Sequence, residues 1–235
     1  MPPVADNLRQ VRERIARAAE SVGRSADEIM LVGVTKYVDA QQAAELIAAG
    51  CRDLGESRPQ ELWKKHDELE RAGVSPIWHL IGHLQRNKVA RTLRCTNFIH
   101  SVDSKRLVAE LNQACIDGHS MLPGVDVLLE VNTSGEAAKH GLSPEDVEPL
   151  LETMSNFPRV FVLGLMTMAA LEGGPTVAAR NFATLRELRD KLKRNKYPNT
   201  VLNELSMGMS ADFEVAIREG ATIVRVGSLL WQGEF

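Results

Sequence analysis

The sequence has few cysteines and no cysteine motif. Its three cysteines, Cys51, Cys95 and Cys115, lie far apart, are odd in number and form no Cys-x-x-Cys pair. A disulfide framework needs an even and patterned set, so these residues are better explained as reduced, small apolar side chains. Reduced thiols are typical of cytosolic proteins, and we therefore predict a cytoplasmic location.

Long apolar runs and an excess of one charge are also missing. No stretch approaches the ~20 apolar residues that span a membrane. The N-terminal segment already carries Asp6, Arg9 and Glu13, which leaves no room for the apolar core of a secretory signal. The net charge is −3 with both signs interspersed. We therefore predict a protein that binds neither membranes nor nucleic acids.

What the sequence does contain is a regular alternation of strand and helix patterns. The first strand is Met30–Lys36, a valine-rich apolar run of the kind expected for a strand buried on both faces. Seven more strands are predicted at Asp53–Gly55, Ile77–Gly82, Asn97–Ser101, Val125–Asn132, Val160–Met166, Val201–Ser206 and Thr222–Val226. Helical patterns are predicted at Leu8–Val22, Ala43–Ile47, Pro59–Ala72, Gln85–Leu93, Lys105–Ile116, Pro144–Ser155, Thr176–Arg194 and Ala211–Glu219.

Eight strands joined through helices predict an α/β fold with a parallel sheet, and eight is the number that closes into a barrel. The length of 235 residues is near the ~250 typical of a (β/α)8 TIM-type barrel. We predict a single domain over residues 1–235, with the extra N-terminal helix covering the last unit. An open doubly wound sheet is the alternative, because Asp53–Gly55 is very short for a strand.

Lys36 lies at the carboxyl end of the first strand. In a barrel the carboxyl ends of all strands face one pocket, and ligands bind there. A lysine at this place is either a solvated strand end or a desolvated amine that attacks a carbonyl group. The loops after the last two strands help to decide between these alternatives.

Those two loops predict an anion site. They are Ser206–Ser210 and Gly227–Ser228, and barrels frequently bind phosphate with the loops after strands seven and eight. Glycine lets backbone N–H groups approach an anion closely and serine adds hydroxyl donors, although both residue types also simply make turns. We expect Ser210 to cap a helix that begins at Ala211, whose N-terminus would favour an anion.

A lysine at a strand end and a phosphate site together indicate a phosphorylated aldehyde held as a Schiff base. Pyridoxal 5′-phosphate and an aldolase substrate both fit this description. Arg225 closes the eighth strand beside Gly227, where its guanidinium is able to reach a ring nitrogen or a phosphate. An ordinary salt bridge is the alternative role for Arg225.

Five motifs stand out along the sequence. In order, they are Val32–Lys36 (VGVTK), Trp78–Lys88 (WHLIGHLQRNK), Gly164–Met168 (GLMTM), Leu205–Asp212 (LSMGMSAD) and Val224–Ser228 (VRVGS). With these motifs the sequence resembles, over essentially the whole chain, the pyridoxal-phosphate homeostasis protein family, the small relatives of the alanine racemase barrel. Two departures stand out: Ser57 replaces the family's asparagine after strand two, and the C-terminal residues Leu230–Phe235 (LWQGEF) differ from relatives.

The resemblance implies the fold type III barrel and pyridoxal 5′-phosphate (PLP) as cofactor, with Lys36 forming the Schiff base, N6-(pyridoxal phosphate)lysine. It implies that Arg225 faces the pyridine nitrogen and that His79 and Met166 line the pocket below the ring. It implies that Ser206, Gly227 and Ser228 hold the phosphate, and we predict that Gly208, Met209 and Ser210 of the same loop bind the cofactor as well. The family's loop after strand five matches Asn132, Thr133, Lys139 and Gly141.

A metal site is not predicted. His79 and His83 are four residues apart, a spacing that pairs ligands on one face of a helix. Here they fall across a strand and its glycine-containing end, without a cysteine or a second carboxylate cluster.

Two functions remain for this barrel. One is a PLP carrier in vitamin B6 and amino-acid homeostasis without strong turnover, and the other is a PLP-dependent amino-acid racemase. Racemisation needs an acid/base on each side of the α-carbon, and in the racemase a tyrosine of a separate partner domain supplies one of them. This sequence has only Tyr37 and Tyr197 and no second domain, which favours the carrier.

Arg225 favours the carrier as well. A guanidinium keeps its charge, so that a ring nitrogen facing it stays unprotonated and is a poorer electron sink. The partners that this interpretation predicts are PLP itself and apo PLP-dependent enzymes as acceptors, and we expect a monomer.

Overall fold

The computed structural model describes residues 3–136, 140–170 and 172–233. Within these residues, eight parallel strands close a barrel in sequence order. They are β1 Met30–Val34, β2 Asp53–Glu56, β3 Ile77–Leu80, β4 Phe98–Val102, β5 Val125–Glu130, β6 Val160–Met166, β7 Thr200–Ser206 and β8 Ile223–Val226. Strand β8 pairs back onto β1, with Met30 opposite Ile223. The predicted barrel is confirmed and the open sheet is wrong.

Helices alternate with the strands around the outside of the barrel. They are α1 Pro3–Glu20, α2 Ala40–Ala48, α3 Pro59–Arg71, α4 Val89–Thr92, α5 Lys105–Ile116, α6 Pro144–Glu152, α7 Gly174–Leu192 and α8 Phe213–Arg218. Short 3-10 turns lie at Ala26–Glu28, Arg86–Lys88 and Met154–Asn156. None of the described helices combines the length and the apolar character needed to cross a bilayer.

The strands are rich in valine and leucine because both of their faces are covered. The main core lies between the barrel and its helices. Inside the barrel, Val32, Leu128, Met166 and Ile223 form a small apolar cluster of their own. The rest of the interior is unusually polar, since the side chains of His79, His100, Ser206 and Arg225 are all buried there.

Helix α1 covers the last βα unit, as the sequence predicted. The side-chain amide of Asn7 donates hydrogen bonds to the carbonyl oxygens of Leu230 (3.0 Å) and Gln232 (2.9 Å). Arg14 pairs with Glu214 of α8 at 2.9 Å. The helix therefore packs over the segment after β8, where the chain makes turns instead of a helix of its own.

Several predicted helices differ from the structure in their bounds, and two of these follow β3 and β7. The helix expected at Gln85–Leu93 is a 3-10 turn followed by the short α4. The last helix begins at Phe213 instead of Ala211, so the prediction that Ser210 caps it is wrong. The physical reason is a turn before the helix, in which the Asp212 carboxylate accepts a hydrogen bond from the N–H of Met209 at 2.6 Å.

Candidate functional site

A cavity of about 630 Å³ opens at the carboxyl end of the barrel. Its wall is formed by the segments that follow β1, β2, β3, β6, β7 and β8. Six of the ten residues that the sequence predicted for cofactor binding line this upper cavity. They are Lys36, Met209, Ser210, Arg225, Gly227 and Ser228. Distant stretches of the sequence thus meet at one pocket, as the closure of a parallel barrel requires.

Lys36 is an exposed side chain on the cavity wall, two residues beyond the end of β1. Its Nζ lies 4.7 Å from the centre of the Tyr37 ring, within the range of a cation–π contact. No salt bridge of Lys36 is found in the described part of the chain. Its amine is therefore available to a molecule in the cavity.

A buried ion pair fixes the backbone on which Lys36 stands. The Nζ of Lys65 donates to the carbonyl oxygen of Thr35 and to Oε2 of Glu56, the latter at 2.6 Å. The other Glu56 oxygen accepts the N–H of Ser57 at 2.8 Å. Both members of the pair are buried, which makes the arrangement rigid because neither charge has water as an alternative partner.

Lys65 is a residue that the sequence analysis missed. It lies three residues after Leu62 and four before Leu69, and these two leucines are on the buried face of α3. This spacing was the signal that could have found it, since a lysine within the apolar stripe of a helix points toward the core.

The loops after β7 and β8 are tied to each other and present unpaired amides. The hydroxyl oxygen of Ser210 accepts the N–H of Gly227 at 3.1 Å. The backbone N–H groups of Ser210, Ala211 and Ser228 find no acceptor within the described residues. All three residues line the upper cavity. Successive unpaired N–H groups of this kind form an anion-binding concavity, so the loops have the chemistry that the sequence predicted for them.

Gly208 enables the turn of the first of these loops. Its φ of +93° lies in the left-handed region, and a Cβ there would collide with Phe213 and Ala216 of α8. Its carbonyl oxygen accepts the N–H of Arg225 at 3.0 Å. Gly208 therefore shapes the loop without lining the cavity itself.

Arg225 is a buried guanidinium at the floor of the cavity, only 3% exposed. Its Nη1 donates to the hydroxyl of Ser206 at 2.6 Å and its Nη2 to the carbonyl oxygen of Thr167 at 3.0 Å. Burial lowers the pKa of Arg225 to about 10, against the opposing effect of the Glu130 and Asp212 carboxylates. The group still carries a positive charge at neutral pH and has further N–H donors for a ligand.

Glu130 is a buried acid close enough to Arg225 for the guanidinium to affect its pKa. Burial and, to a lesser extent, the nearby Asp103 carboxylate raise the pKa of Glu130 to about 6, while Arg225 and His140 act in the opposite direction. The side chain is 4% exposed at the carboxyl end of β5. Part of the Glu130 population is therefore neutral just below neutral pH.

Three predicted site residues lie deeper than the sequence indicated. His79 and Ser206 are fully buried, Met166 belongs to the apolar cluster inside the barrel, and none of the three is on the described cavity wall. The hydroxyl of Ser206 is shared between Arg225 and His100. Their side chains point into the barrel one layer below the cavity, because alternate residues of a strand face opposite sides.

Two residues of the cavity wall were given no role by the sequence. Trp231 is 4% exposed, and its indole N–H donates to the carbonyl oxygen of Val34 at 2.8 Å, which ties the C-terminal segment to β1. Ser57 lies against Gly82, where any side chain would overlap the Ser57 carbonyl group. Ser57 and Trp231, which belong to the two departures from the family pattern, thus lie on the cavity wall.

His83 does not pair with His79. It lies at the rim of the cavity with Asp103 and His140, whose ligand atoms are within 4.8 Å of one another. The two imidazole rings are stacked, with centroids 4.5 Å apart and planes 16° from parallel. Ring nitrogens bind metals through lone pairs in the ring plane, and stacked rings do not direct these lone pairs at one ion. This arrangement therefore gives no convergent ligand set.

The loop after β5 is built from the predicted residues that the structure describes. Asn132 donates to the carbonyl oxygen of Glu136 at 2.9 Å, and the carbonyl oxygen of Thr133 accepts from Asn181 at 3.0 Å. Gly141 has a φ of +116° and packs on the Asn132 backbone. Lys139 lies outside the described residues.

The two tyrosines have different environments. Tyr37 is 73% exposed and lines the cavity beside Lys36. The hydroxyl of Tyr197 donates to Glu148 of α6 at 2.6 Å, on the outer layer of helices. Tyr37 is thus the one tyrosine that the described structure brings to the cavity.

Comparison with known proteins bears on this site. A profile of the alanine racemase N-terminal domain matches residues 7–234. The chain is 42% identical over 226 residues to the pyridoxal phosphate homeostasis protein of Aquifex aeolicus, covering 96% of both chains. It is 32% identical to PipY of Synechococcus elongatus, solved with PLP bound, with a TM-score of 0.83 and coverage of 97% and 99%.

The fold extends to more distant proteins. The alanine racemase of Corynebacterium glutamicum is 14% identical with a TM-score of 0.71, and the match covers 97% of this chain and 60% of the racemase. At this identity the likeness concerns the fold alone.

Proposed function

Because the chain belongs to the alanine racemase N-terminal domain family and, within it, to the pyridoxal phosphate homeostasis proteins, we propose that it binds pyridoxal 5′-phosphate at the upper cavity. We propose further that its role is to hold and release this cofactor without strong catalytic turnover. The observation that carries the proposal is that one cavity brings together an exposed amine, a buried guanidinium and three backbone amides without an acceptor among the described residues.

The donor set fits the chemistry of this cofactor. Its aldehyde needs a primary amine, its phosphate needs N–H and hydroxyl donors, and its ring nitrogen needs one donor at the pocket floor. Lys36 offers the amine, the backbone amides of Ser210 and Ser228 offer donors for the phosphate, and Arg225 offers the donor at the pocket floor. The cavity of about 630 Å³ is within the range of pockets for small ligands.

Each residue then has a role in the proposed site. Lys36 holds the cofactor as a Schiff base, and Gly227 and Ser228 form the phosphate cradle together with Met209 and Ser210. Arg225 faces the ring nitrogen. Four further residues support the site from below. Ser206 does so through its hydrogen bond with Arg225, His79 and Met166 do so from the barrel interior, and Gly208 does so through the shape of the loop. In this assignment Ser206 acts on the cofactor through Arg225.

Arg225 supports a role without strong turnover. When bound, the cofactor supplies an aldehyde and an electron sink for carbanions, and the strength of the sink depends on a protonated ring nitrogen. Arg225 remains charged at neutral pH and has only protons to donate. It therefore does not accept a proton in exchange, as a carboxylate would, and the ring nitrogen is kept unprotonated.

The racemase alternative has little support from the described residues. A racemase needs a second acid/base across the α-carbon from the lysine. Tyr37 stands beside Lys36, with its ring centre 4.7 Å from Nζ, and not across from it. Tyr197 is engaged with Glu148. Neither tyrosine supplies the second group.

The carrier role implies partners and a location. Since Lys36 is exposed and the cavity is open, apo PLP-dependent enzymes are the acceptors that we propose. We also propose a monomer, acting in the cytoplasm, where the free thiols of Cys51, Cys95 and Cys115 stay reduced.

Borohydride trapping tests the site directly. Reduction of the loaded protein followed by peptide mapping should place a pyridoxyl group on Lys36. The variant Lys36→Ala should lose both the trapped adduct and the visible absorbance of the bound cofactor. The control is Lys64→Ala, which removes a neighbouring exposed lysine on α3 and should leave trapping unchanged. An adduct on another lysine would overturn the assignment of Lys36.

Turnover is tested on the same preparation. Incubation with L-alanine and other L-amino acids should give no racemisation above that of the free cofactor. A rate of roughly 1 s⁻¹ or faster, ordinary for enzymes, would contradict the carrier role and leave the cofactor site standing.

A further inference from the structure

A continuous line of five polar side chains crosses the barrel interior. The Asp53 Oδ1 is 3.1 Å from His79 Nε2, and His79 Nδ1 is 2.9 Å from His100 Nε2. His100 Nδ1 is 2.9 Å from the Ser206 hydroxyl, to which Arg225 donates at 2.6 Å. We call this set the polar column. His79, His100 and Ser206 are each fully buried, so these contacts have no competition from water.

The polar column joins the two ends of the barrel. Arg225 lines the upper cavity, while Asp53 lines a second cavity of about 520 Å³ at the opposite end. The Asp53 side chain is 26% exposed, so the column begins at water and ends under the proposed cofactor. The Phe98 ring packs on both imidazoles, with centroids 4.7 Å from His79 and 4.8 Å from His100.

The direction of the hydrogen bonds follows from the two ends. A guanidinium only donates, so the Ser206 oxygen accepts from Arg225 and its own proton is free to go to His100 Nδ1. His100 then carries its proton on Nε2 and donates to His79 Nδ1. His79 in turn carries its proton on Nε2 and donates to the Asp53 carboxylate. The four ring nitrogens and the Ser206 hydroxyl are all satisfied in this arrangement.

The reverse direction fails at Asp53. If His100 donated to Ser206 through Nδ1, its Nε2 would accept a hydrogen bond from Nδ1 of His79. The Nε2 of His79 would then be unprotonated and would face the Asp53 carboxylate. A lone pair would then face a carboxylate. A charged imidazolium at His100 is disfavoured as well, because burial, His79 and Arg225 all lower the pKa of His100.

We infer that Asp53, His79 and His100 are positioning residues for Arg225: they set a one-way chain of donated hydrogen bonds that holds the guanidinium at the floor of the upper cavity. The importance of this for a ring nitrogen rests on the proposed function, whereas the hydrogen-bond direction does not. The consequence is that a substitution at the lower end of the barrel changes the position of the Arg225 guanidinium at the upper end.

The apo protein provides the first test. Histidine ¹⁵N spectra should show His79 and His100 as neutral imidazoles, both with the proton on Nε2. The variant Asp53→Asn lets the new amide donate to His79, and should produce a mixture of tautomers at both histidines. Asp27→Asn, which alters another carboxylate of the same lower cavity, should leave both spectra unchanged. Protons on Nδ1 in the wild type, or unaltered spectra in Asp53→Asn, would overturn the inference.

The loaded protein provides the second test, with PLP as the probe. Asp53→Asn should shift the visible band of the bound cofactor and weaken binding by roughly 3- to 10-fold, of the size expected for a loosened hydrogen bond to a charged donor. Asp27→Asn should do neither. If Asp53→Asn alters the tautomers but not the band, the column does not position Arg225 and the inference fails. If PLP does not bind to the wild type, the proposed function fails while the tautomer result stands.

Discussion

The two ends of the barrel carry cavities of similar size but different chemistry. The upper cavity holds about 630 Å³ and the lower one about 520 Å³. At the lower end two charged side chains are engaged by the protein: Arg12 donates to the carbonyl oxygen of Gly50 at 2.6 Å, and Asp53 is bonded to His79. At the upper end Lys36 has no ion pair and three loop amides have no acceptor in the described structure.

This difference shows that volume does not identify a binding site. What distinguishes a site is its chemistry, and backbone N–H groups that converge on one cavity without an acceptor are available to an anion. Among the described residues, the upper end brings three loop amides together with the buried Arg225 and the rigid support of the Lys65–Glu56 pair. The predictions below test this contrast from the strongest expected effect to the weakest.

The largest effect is expected from breaking the buried pair under Lys36. Lys65→Met leaves Glu56 buried and uncompensated, a change that typically costs about 3–5 kcal/mol of stability. Chemical denaturation should show this loss in the apo protein. Lys64→Met, the exposed neighbour, should change the free energy of unfolding by less than about 0.5 kcal/mol.

A double variant refines this result. Lys65→Met combined with Glu56→Gln removes both charges and should be less destabilised than Lys65→Met alone. An equal or larger loss in the double variant would show that the Lys65 stem, and not its charge, supports the upper end.

The second prediction concerns the phosphate. Hydrogen bonds to a charged group contribute about 1.5–3 kcal/mol each, so losing two of them should weaken pyridoxal relative to its 5′-phosphate by about 100-fold or more, roughly 3 kcal/mol. A spectroscopic titration with both compounds measures this ratio. Equal affinities would show that the amides of Ser210, Ala211 and Ser228 do not form an anion site.

The sequence predicted most of the fold because the signals were periodic. Eight apolar runs separated by helical patterns specify the barrel, and its closure places Lys36 and Arg225 at one pocket. The helix boundary at Phe213 was missed because Asp212 bonds back to Met209, a local turn that has no periodicity. Single polar contacts of this kind decide element ends and are invisible to patterns.

The sequence could not predict the depth of each site residue. Ser206 and Ser210 are in the same short loop motif, yet Ser206 is fully buried under Arg225 and Ser210 lines the cavity. His100 carried no motif signal at all, since its role depends on His79 and Ser206 of two other strands. Contacts between distant strands exist only once the barrel has closed.

The third prediction uses the raised pKa of Glu130. Because this pKa is about 6 instead of the ordinary 4.5, the folded state binds more protons than the unfolded state between these values. The contribution of Glu130 to the free energy of unfolding is therefore fully present below pH 4.5 and is lost as the pH rises through 6. The loss amounts to at most about 2 kcal/mol, at 1.36 kcal/mol per pKa unit.

The measurement is the free energy of unfolding of the wild type and Glu130→Gln between pH 4 and pH 7. The variant should lack this falling component, so the difference between the two proteins should change by up to about 2 kcal/mol across this range. Glu145→Gln, at an exposed acid of α6, should run parallel to the wild type. A constant difference between Glu130→Gln and the wild type would contradict the raised pKa.

The smallest effect is expected at the contact that ties the two phosphate loops together. Ser210→Ala removes the oxygen that accepts the Gly227 N–H at 3.1 Å. One hydrogen bond of this type contributes about 1 kcal/mol, which corresponds to about a 5-fold loss of PLP affinity. Pyridoxal, which has no phosphate for these loops, should bind to the variant as it binds to the wild type. Ser57→Ala, on the lysine side of the cavity, should leave the ratio of the two affinities unchanged. If Ser210→Ala weakens both compounds equally, the loops support the cavity as a whole and do not act on the phosphate.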